Sequence, residues 1–372
     1  MTQSSIQPRI LTTGDWHLGH HRVPTLDTIS DIRKHLLPKI NSCDMLVIVG
    51  DVFDGKISFN DDNASAIIKL FSDIIRQCYE CNVIFRILRG TFSHDLNQNT
   101  MIRRLHKELM IPLDFKLIET LTIEHIDRFN IDILYMPDNL PYSNKSDVFD
   151  AVKKLMLVNN ISVVDTVMAH AEFDHMNFGF VNHNAYSVND FDTICKGLII
   201  SGHIHKPNVY RNVIYTGSIN RLAHNEEERK GFWMVHGDKS TFIPNPDATR
   251  FVTIDYRDET DFNVVLAKHI ESLKQFPEER LGFLRLLTSD SNIKQAIIRY
   301  HNANHPNIRL SFKSTLSNNN AGSKYLSDKL KNKKTEILEV PSVKNIANIV
   351  YNDLMTRGIN LHLDSIEKII NG

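Results

Sequence analysis

The sequence predicts an α/β fold. Three observations point there: a β-α-β rhythm over its first two thirds, strands too apolar to face water, and polar residues gathered just past the strand ends. The first strand begins at Ile10 and Leu11. Residues 25–40 read as a helix, with Leu26, Ile29, Ile32, Leu36 and Leu37 recurring at helical spacing. Residues 45–49 form a buried strand and 64–78 a helix, and 83–88, 131–135, 163–168 and 198–200 are further strands. Strands this apolar imply a sheet covered by helices on both faces.

The pattern changes near Arg250. Strand 251–256, helix 261–276, strand 282–287, helix 292–302 and strand 307–312 make a β-α-β-α-β unit, the size of a small second domain. Next come the polar stretch Ser317-Asn-Asn-Asn-Ala-Gly-Ser and the Lys-rich 329–334, which is linker composition. Residues 342–370 carry two short amphipathic patterns: Val343, Ile346, Ile349, Val350 and Leu354, then Leu363, Ile366, Ile369 and Ile370. A helix pair this small cannot bury itself. It either packs back on the body or docks on another chain.

Composition narrows the class. With 42% hydrophobic and 23% charged residues, the 372-residue chain reads as a water-soluble protein of two domains with a tail. Its longest apolar runs fall far short of the roughly 20 residues a membrane helix needs. Met1-Thr-Gln-Ser-Ser opens with no cationic region before an apolar core, so the expected location is cytoplasmic. Cys78-x-x-Cys81 has no second pair to complete a zinc site, and the thiols suit a reducing compartment. Net charge is −1, so any nucleic-acid contact would need a local basic patch. The 18 histidines are the one unusual count, and histidine is the commonest metal ligand.

Their placement carries the functional argument. Asp15 and His17 follow the first strand, in Gly14-Asp-Trp-His-Leu-Gly19; Asp51 and Asp54 follow the second, in Gly50-Asp-Val-Phe-Asp54. Ser93, His94 and Asp95 follow the third, His170 ends a later strand, and His203 and His205 follow another, in Gly202-His-Ile-His205. Any one of these motifs arises by chance on loops. An ordered set at five strand ends does not, because the crevice beyond such ends is where α/β sheets bind ligands. Mixed carboxylates and imidazoles favour Mn, Fe or Zn over Mg or Ca. A carboxylate such as Asp51 can bridge two ions, and two ions about 3.5–4 Å apart promote in-line displacement at phosphorus. The inferred chemistry is phosphoester hydrolysis by a metal-activated water.

The order D-x-H, G-D-x-x-D, His-Asp, lone His and G-H-x-H resembles the calcineurin-like metallophosphoesterase superfamily. Within it the chain is similar to the nuclease subunit of double-strand-break repair and recombination complexes, the SbcD type of bacteria and its phage counterparts. Tyr215-Thr-Gly-Ser-Ile-Asn-Arg221, the acidic Glu226 to Glu228 and Lys230-Gly-Phe232 resemble the close of that catalytic domain. The resemblance implies a β-sandwich flanked by helices over 1–248, a small α+β capping domain over 249–315, a flexible linker over 316–341, and C-terminal helices over 342–372 that bind a coiled-coil ATPase. It also implies a homodimer, DNA as substrate, exo- and endonuclease activity, and two divalent ions, Mn2+ foremost with Mg2+, Fe2+ or Zn2+ as alternatives. Asp15, His17, Asp51 and His205 would hold one ion; Asp51, His170 and His203 would hold the other. His94 would act near the leaving oxygen as general acid or transition-state stabiliser, and Asp95 would orient it.

One departure stands out. The family's G-N-H-D supplies an Asn ligand, whereas here the stretch is Gly90-Thr-Phe-Ser-His-Asp95. Ser93 takes the Asn position if the His is aligned, Thr91 if the Gly is. Two other readings remain open: a small-molecule phosphodiesterase or phosphatase on the same scaffold, and a weakly active scaffold that binds DNA ends.

Overall fold

The apolar strands assemble into two six-stranded sheets rather than one. The computed structural model describes residues 7–58, 62–142, 144–174, 185–256, 262–277, 280–288, 295, 297–298, 301 and 307–313. In chain order the elements begin with β1 (Arg9–Thr13), α1 (Thr25–Asp31), a π-helical turn (Ile32–Leu36), α2 (Leu37–Ile40), β2 (Met45–Ile48), α3 (Asp62–Glu80) and β3 (Ile84–Leu88). They continue with α4 (Phe92–Asp95), α5 (Asn99–Leu109), β4 (Phe115–Ile118), β5 (Thr122–Ile126), β6 (Ile131–Met136), α6 (Lys145–Val158), β7 (Thr166–His170) and α7 (Val188–Asp192). Then come β8 (Ile199–Gly202), β9 (Asn208–Tyr210), β10 (Val213–Tyr215), β11 (Gly231–His236) and β12 (Lys239–Pro244). The segment after Arg250 holds β13 (Phe251–Asp255), α8 (Phe262–Leu273), β14 (Gly282–Leu287) and β15 (Ile308–Lys313).

One sheet has the order β12-β11-β1-β2-β3-β4, the other β5-β6-β7-β8-β10-β9. The runs β1 to β4 and β6-β7-β8-β10 are parallel. Between the sheets lies a core that takes Ile10, Val47, Val49 and Leu88 from the first and Ile133, Tyr135, Met168 and Ile200 from the second. The first sheet's outer face packs on α1, α2, α3 and α5 through Leu46, Phe85, Ile87, Leu70 and Phe71. The second sheet's outer face packs on α6 and α7 through Val152, Met156, Phe191, Val167 and Ile199. The β-sandwich flanked by helices that the resemblance implies is the fold observed, in place of the single sheet that strand apolarity alone suggests. A strand covered by a helix on one face and by another sheet on the other is as apolar as one between two helices.

The helix expected at 25–40 forms with a π turn, in which the Leu37 N–H reaches back to the Ile32 carbonyl. Pro38 explains it: proline lacks an N–H and its ring crowds the carbonyl four residues back, and a widened turn relieves both. No helix among the described residues is long and apolar enough to cross a membrane. All four cysteines are free, with Cys78 in the core beneath the first sheet.

Ion pairs to Glu124 tie the two sheets. Arg86 on β3 is almost fully buried and donates through Nε and Nη2 to the Glu124 carboxylate on β5, at 2.9 and 2.8 Å. Removing the cation alone strands a buried carboxylate, which costs about 3–5 kcal/mol. Arg86→Met is expected near the lower end of that range, since Lys116 also contacts Glu124. Urea unfolding would show it, and the paired change Arg86→Met with Glu124→Leu should recover most of the loss.

After Arg250, β13, β14 and β15 form a parallel three-stranded sheet whose apolar side, with Val252, Ile254, Leu284, Leu286, Leu310 and Phe312, packs with Val265 and Leu273 of α8. Its other side meets the body where Phe251 and Phe283 stack at 4.4 Å beside Val23 and Leu222. Arg280 adds contacts to the Asp31 carboxylate and the Asp247 carbonyl. The helix expected at 292–302 lies mostly outside the described residues. The linker at 316–341 and the terminal helices at 342–372 lie wholly outside them.

Candidate metal centre

Backbone pairing between loops brings the site together. The chain leaving β1 donates from Asp15 N to the Gly50 carbonyl and from Trp16 N and His17 N to the Asp51 carbonyl, at 3.0, 2.8 and 3.1 Å. Trp16 is fully buried, stacks on Phe71 and donates to Thr13 Oγ1, so the residues on either side, Asp15 and His17, turn the other way. Gly50 has φ +94°, and a Cβ there would come 2.2 Å from His170 Nδ1. A Cβ on Gly90 would come 2.1 Å from Asp51 N. Only glycine lets these loops close on one another. Asp15, His17, Asp51 and His203 all adopt positive φ, between 48° and 78°. Such backbone costs about 1–3 kcal/mol per residue and persists where packing enforces it.

Among the described residues four groups have metal-ligand spacing: Asp15, His17 and His205; Asp51, His170 and His203; His17, Asp54 and His94; and His20, His21 and Asp54. The first two are the ones the resemblance implies. The Asp51 Oδ2 atom lies between them, 3.3 Å from His170 Nε2 and 3.8 Å from His17 Nε2. The structure thus brings these residues together, with Asp51 Oδ2 between the two groups.

The hydrogen bonds around the imidazoles determine what the clusters accept. His170 Nδ1 donates to the Val49 carbonyl at 2.6 Å, His205 Nδ1 to Glu226 at 2.9 Å and His17 Nδ1 to Asp54 at 3.3 Å. Each ring, when neutral, would therefore present its Nε2 lone pair to the centre. The Nε2 atoms of His17 and His205 face each other at 3.1 Å, an approach that a shared cation relieves. Asp15 Oδ2 is buried with no hydrogen-bond partner in the structure. A carboxylate and inward lone pairs without protons suit divalent cations.

The electrostatics pair Asp51 with a protonated His170, a proton that a divalent cation would have to displace. Burial resists the charge on Asp51, yet the adjoining His170 and His17 hold its carboxyl well below the ordinary range. Burial likewise disfavours a charged His170, and Asp51 outweighs it and raises that imidazole's proton affinity. Glu226, despite burial, is held down to about 2 by His205 and the fully buried Lys230, whose ammonium also reaches Glu228 and the His205 carbonyl.

His94 is half-buried and donates from Nδ1 to Asp54 at 2.7 Å, leaving Nε2 for a substrate oxygen. Two expectations are corrected here. Asp95 does not orient His94: its carboxylate accepts from Phe53 N, Gly90 N and Asn99 Nδ2, at 3.1, 2.7 and 2.7 Å, and braces the loops after β2 and β3. Burial raises its pKa, outweighing the Gly90 and Phe53 N–H groups that pull it down. Ser93 is exposed on the short α4, while the Thr91 hydroxyl lies 3.3 Å from both Asp51 Oδ2 and His170 Nε2. The glycine alignment, not the histidine alignment, gives the spatial substitute for the family's Asn.

Asp54 and Glu226 are the residues that sequence reasoning left without a role. Asp54 orients His17 and His94 together, and its place three residues after Asp51 was the available signal. Glu226 sits in a run of three glutamates, and only folding distinguishes the one beneath His205.

A family model described as calcineurin-like phosphoesterase matches residues 8–207. No curated protein matches the chain significantly. A solved crystal structure is similar at 14% identity and a TM-score of 0.39, covering 63% of this chain and 99% of its own.

Proposed function

The chain belongs to the calcineurin-like phosphoesterase family of metal-dependent phosphoester hydrolases, and from that premise we propose that it is the Mn2+-dependent DNA nuclease subunit of a recombination or double-strand-break repair complex. The observation that supports the catalytic reading best is the set of three imidazoles, His17, His170 and His205, each with its Nδ1 proton committed outward and its Nε2 turned inward. Two divalent ions, when bound, would lower the pKa of a water and neutralise charge gathering on the phosphoryl oxygens. Asp15, His17 and His205 would hold one, His170 and His203 the other, and Asp51 both. Thr91 adds only a neutral hydroxyl where the family has an amide carbonyl. His94, oriented by Asp54, would deliver a proton or hydrogen bond to the leaving oxygen. The DNA substrate is supported by the sequence likeness to repair nucleases. The same likeness supports an ATPase partner for residues 342–372.

The decisive assay is cleavage of linear and hairpin DNA with Mn2+, beside Mg2+ and EDTA controls and a small ester such as bis(p-nitrophenyl) phosphate. Mn2+-dependent DNA cleavage abolished by EDTA is the expected result. Turnover of the ester alone, with DNA untouched, would replace the nuclease reading by a small-molecule phosphodiesterase.

A further inference from the structure

One cavity shares His170 with the metal centre. It encloses about 350 Å3, and Asp138, Asn139, Tyr142, Lys145 and Tyr186 contribute to its walls. Three features suit it to a ligand. Its wall is preformed: the loop carrying Asp138 and Asn139 is pinned to β3, since Arg89 Nη2 donates to the carbonyls of both residues and the Asp138 N–H donates to the Arg89 carbonyl. Lys145 is half-buried, with its ammonium 4.2 Å from the centre of the Tyr186 ring. Burial pushes its pKa down while Asp138 and Glu172 pull it back, and no described carboxylate is in ion-pair contact with it. Tyr142 is an exposed aromatic, 41% accessible, on the same wall.

A half-buried cation, an amide and an exposed aromatic, beside the candidate metal centre, match the phosphate, polar edges and π-face of a nucleotide. A volume near the lower end of small-ligand pockets admits one nucleoside but not a base pair. We propose that this cavity seats a single unpaired nucleotide adjoining the scissile phosphate, with Lys145 as its phosphate contact and Tyr142 as its stacking surface. The proposal rests on the nuclease reading above. It implies that a duplex end must separate before its terminal residue is accommodated.

The test compares two substrates on the Mn2+-loaded protein: a single-stranded oligonucleotide, and bis(p-nitrophenyl) phosphate, which carries a diester but no nucleotide. Lys145→Ala and Tyr142→Ala should each raise KM for the oligonucleotide about tenfold, as loss of a phosphate contact or a stack would. Turnover of the small ester should stay within about twofold of wild type. Unchanged KM in both variants would overturn the subsite while leaving the nuclease intact. Equal losses on both substrates would overturn it too, by assigning these residues to the chemistry or the fold. A wild-type protein that cleaves only the small ester would remove the nuclease reading itself, and the subsite with it.

Discussion

Asp51→Asn is expected to leave the protein folded and to reduce hydrolysis by at least about a thousandfold, with bound Mn2+ falling from two ions per chain to one or none. Asparagine suits the position sterically, since Asp51 has φ +49° and Asn tolerates left-handed backbone better than Ala. The Thr91 N–H donates to Asp51 Oδ1 at 2.5 Å, so the amide oxygen of the variant would stay there. Its NH2 would then replace Oδ2, the atom between His17 and His170. A bridging negative charge becomes a donor aimed at cations. Two-metal stabilisation of a phosphoryl transition state is worth several kcal/mol, and each 1.36 kcal/mol is tenfold in rate. Metal analysis of the dialysed protein, beside a turnover assay, checks both halves. A variant that keeps two ions would refute the bridging role.

His94→Ala should behave differently: kcat lower by about 10²–10⁴, the span of general acid–base contributions, with two Mn2+ still bound. The reason lies in its position. His94 groups with His17 and Asp54 and not with the Asp15 or Asp51 clusters; its Nδ1 is committed to Asp54, and its ring stands edge-on to His17 with centres 4.7 Å apart. Its partial exposure predicts little change in melting temperature. A substrate with a good leaving group, such as p-nitrophenolate, needs no proton on departure, so the defect should shrink there. Loss of one ion on mutation would instead make His94 a ligand.

These two residues were identifiable before any coordinates because each follows a strand whose hydrophobicity is unmistakable. So were Asp15, His17, His170, His203 and His205, for the same reason. What the sequence concealed was partnership across loops. Asp95 adjoins His94 in the chain, yet on a single turn of helix the two side chains diverge, and Asp54, 40 residues earlier, is the one within reach. Thr91 and Ser93 are equally plausible by spacing, and only the closure of Gly90 onto Asp51 decides between them. The fold shows the same limit. Strand apolarity revealed burial on two faces but not what covers each, and β4, β5, β9, β10 and β12 were missed because they are short, edge-placed or half-polar. After Arg250, β13, α8, β14 and β15 were legible from alternating apolar runs.

The derivation of the site from both layers has a mechanical consequence. Asp15, His17 and Asp51 follow strands of one sheet, while His170, His203 and His205 end or follow strands of the other. Each proposed ion would therefore act as a rivet between the layers, adding to the His170 bond on the Val49 carbonyl and to the Arg86–Glu124 tie. A rivet transmits load in both directions. Slack in the packed interior would be felt as weaker ion retention, and chelation would in turn free the sheets to slide. Thermal resistance and catalytic competence would then rise and fall together with free Mn2+, through the same few atoms.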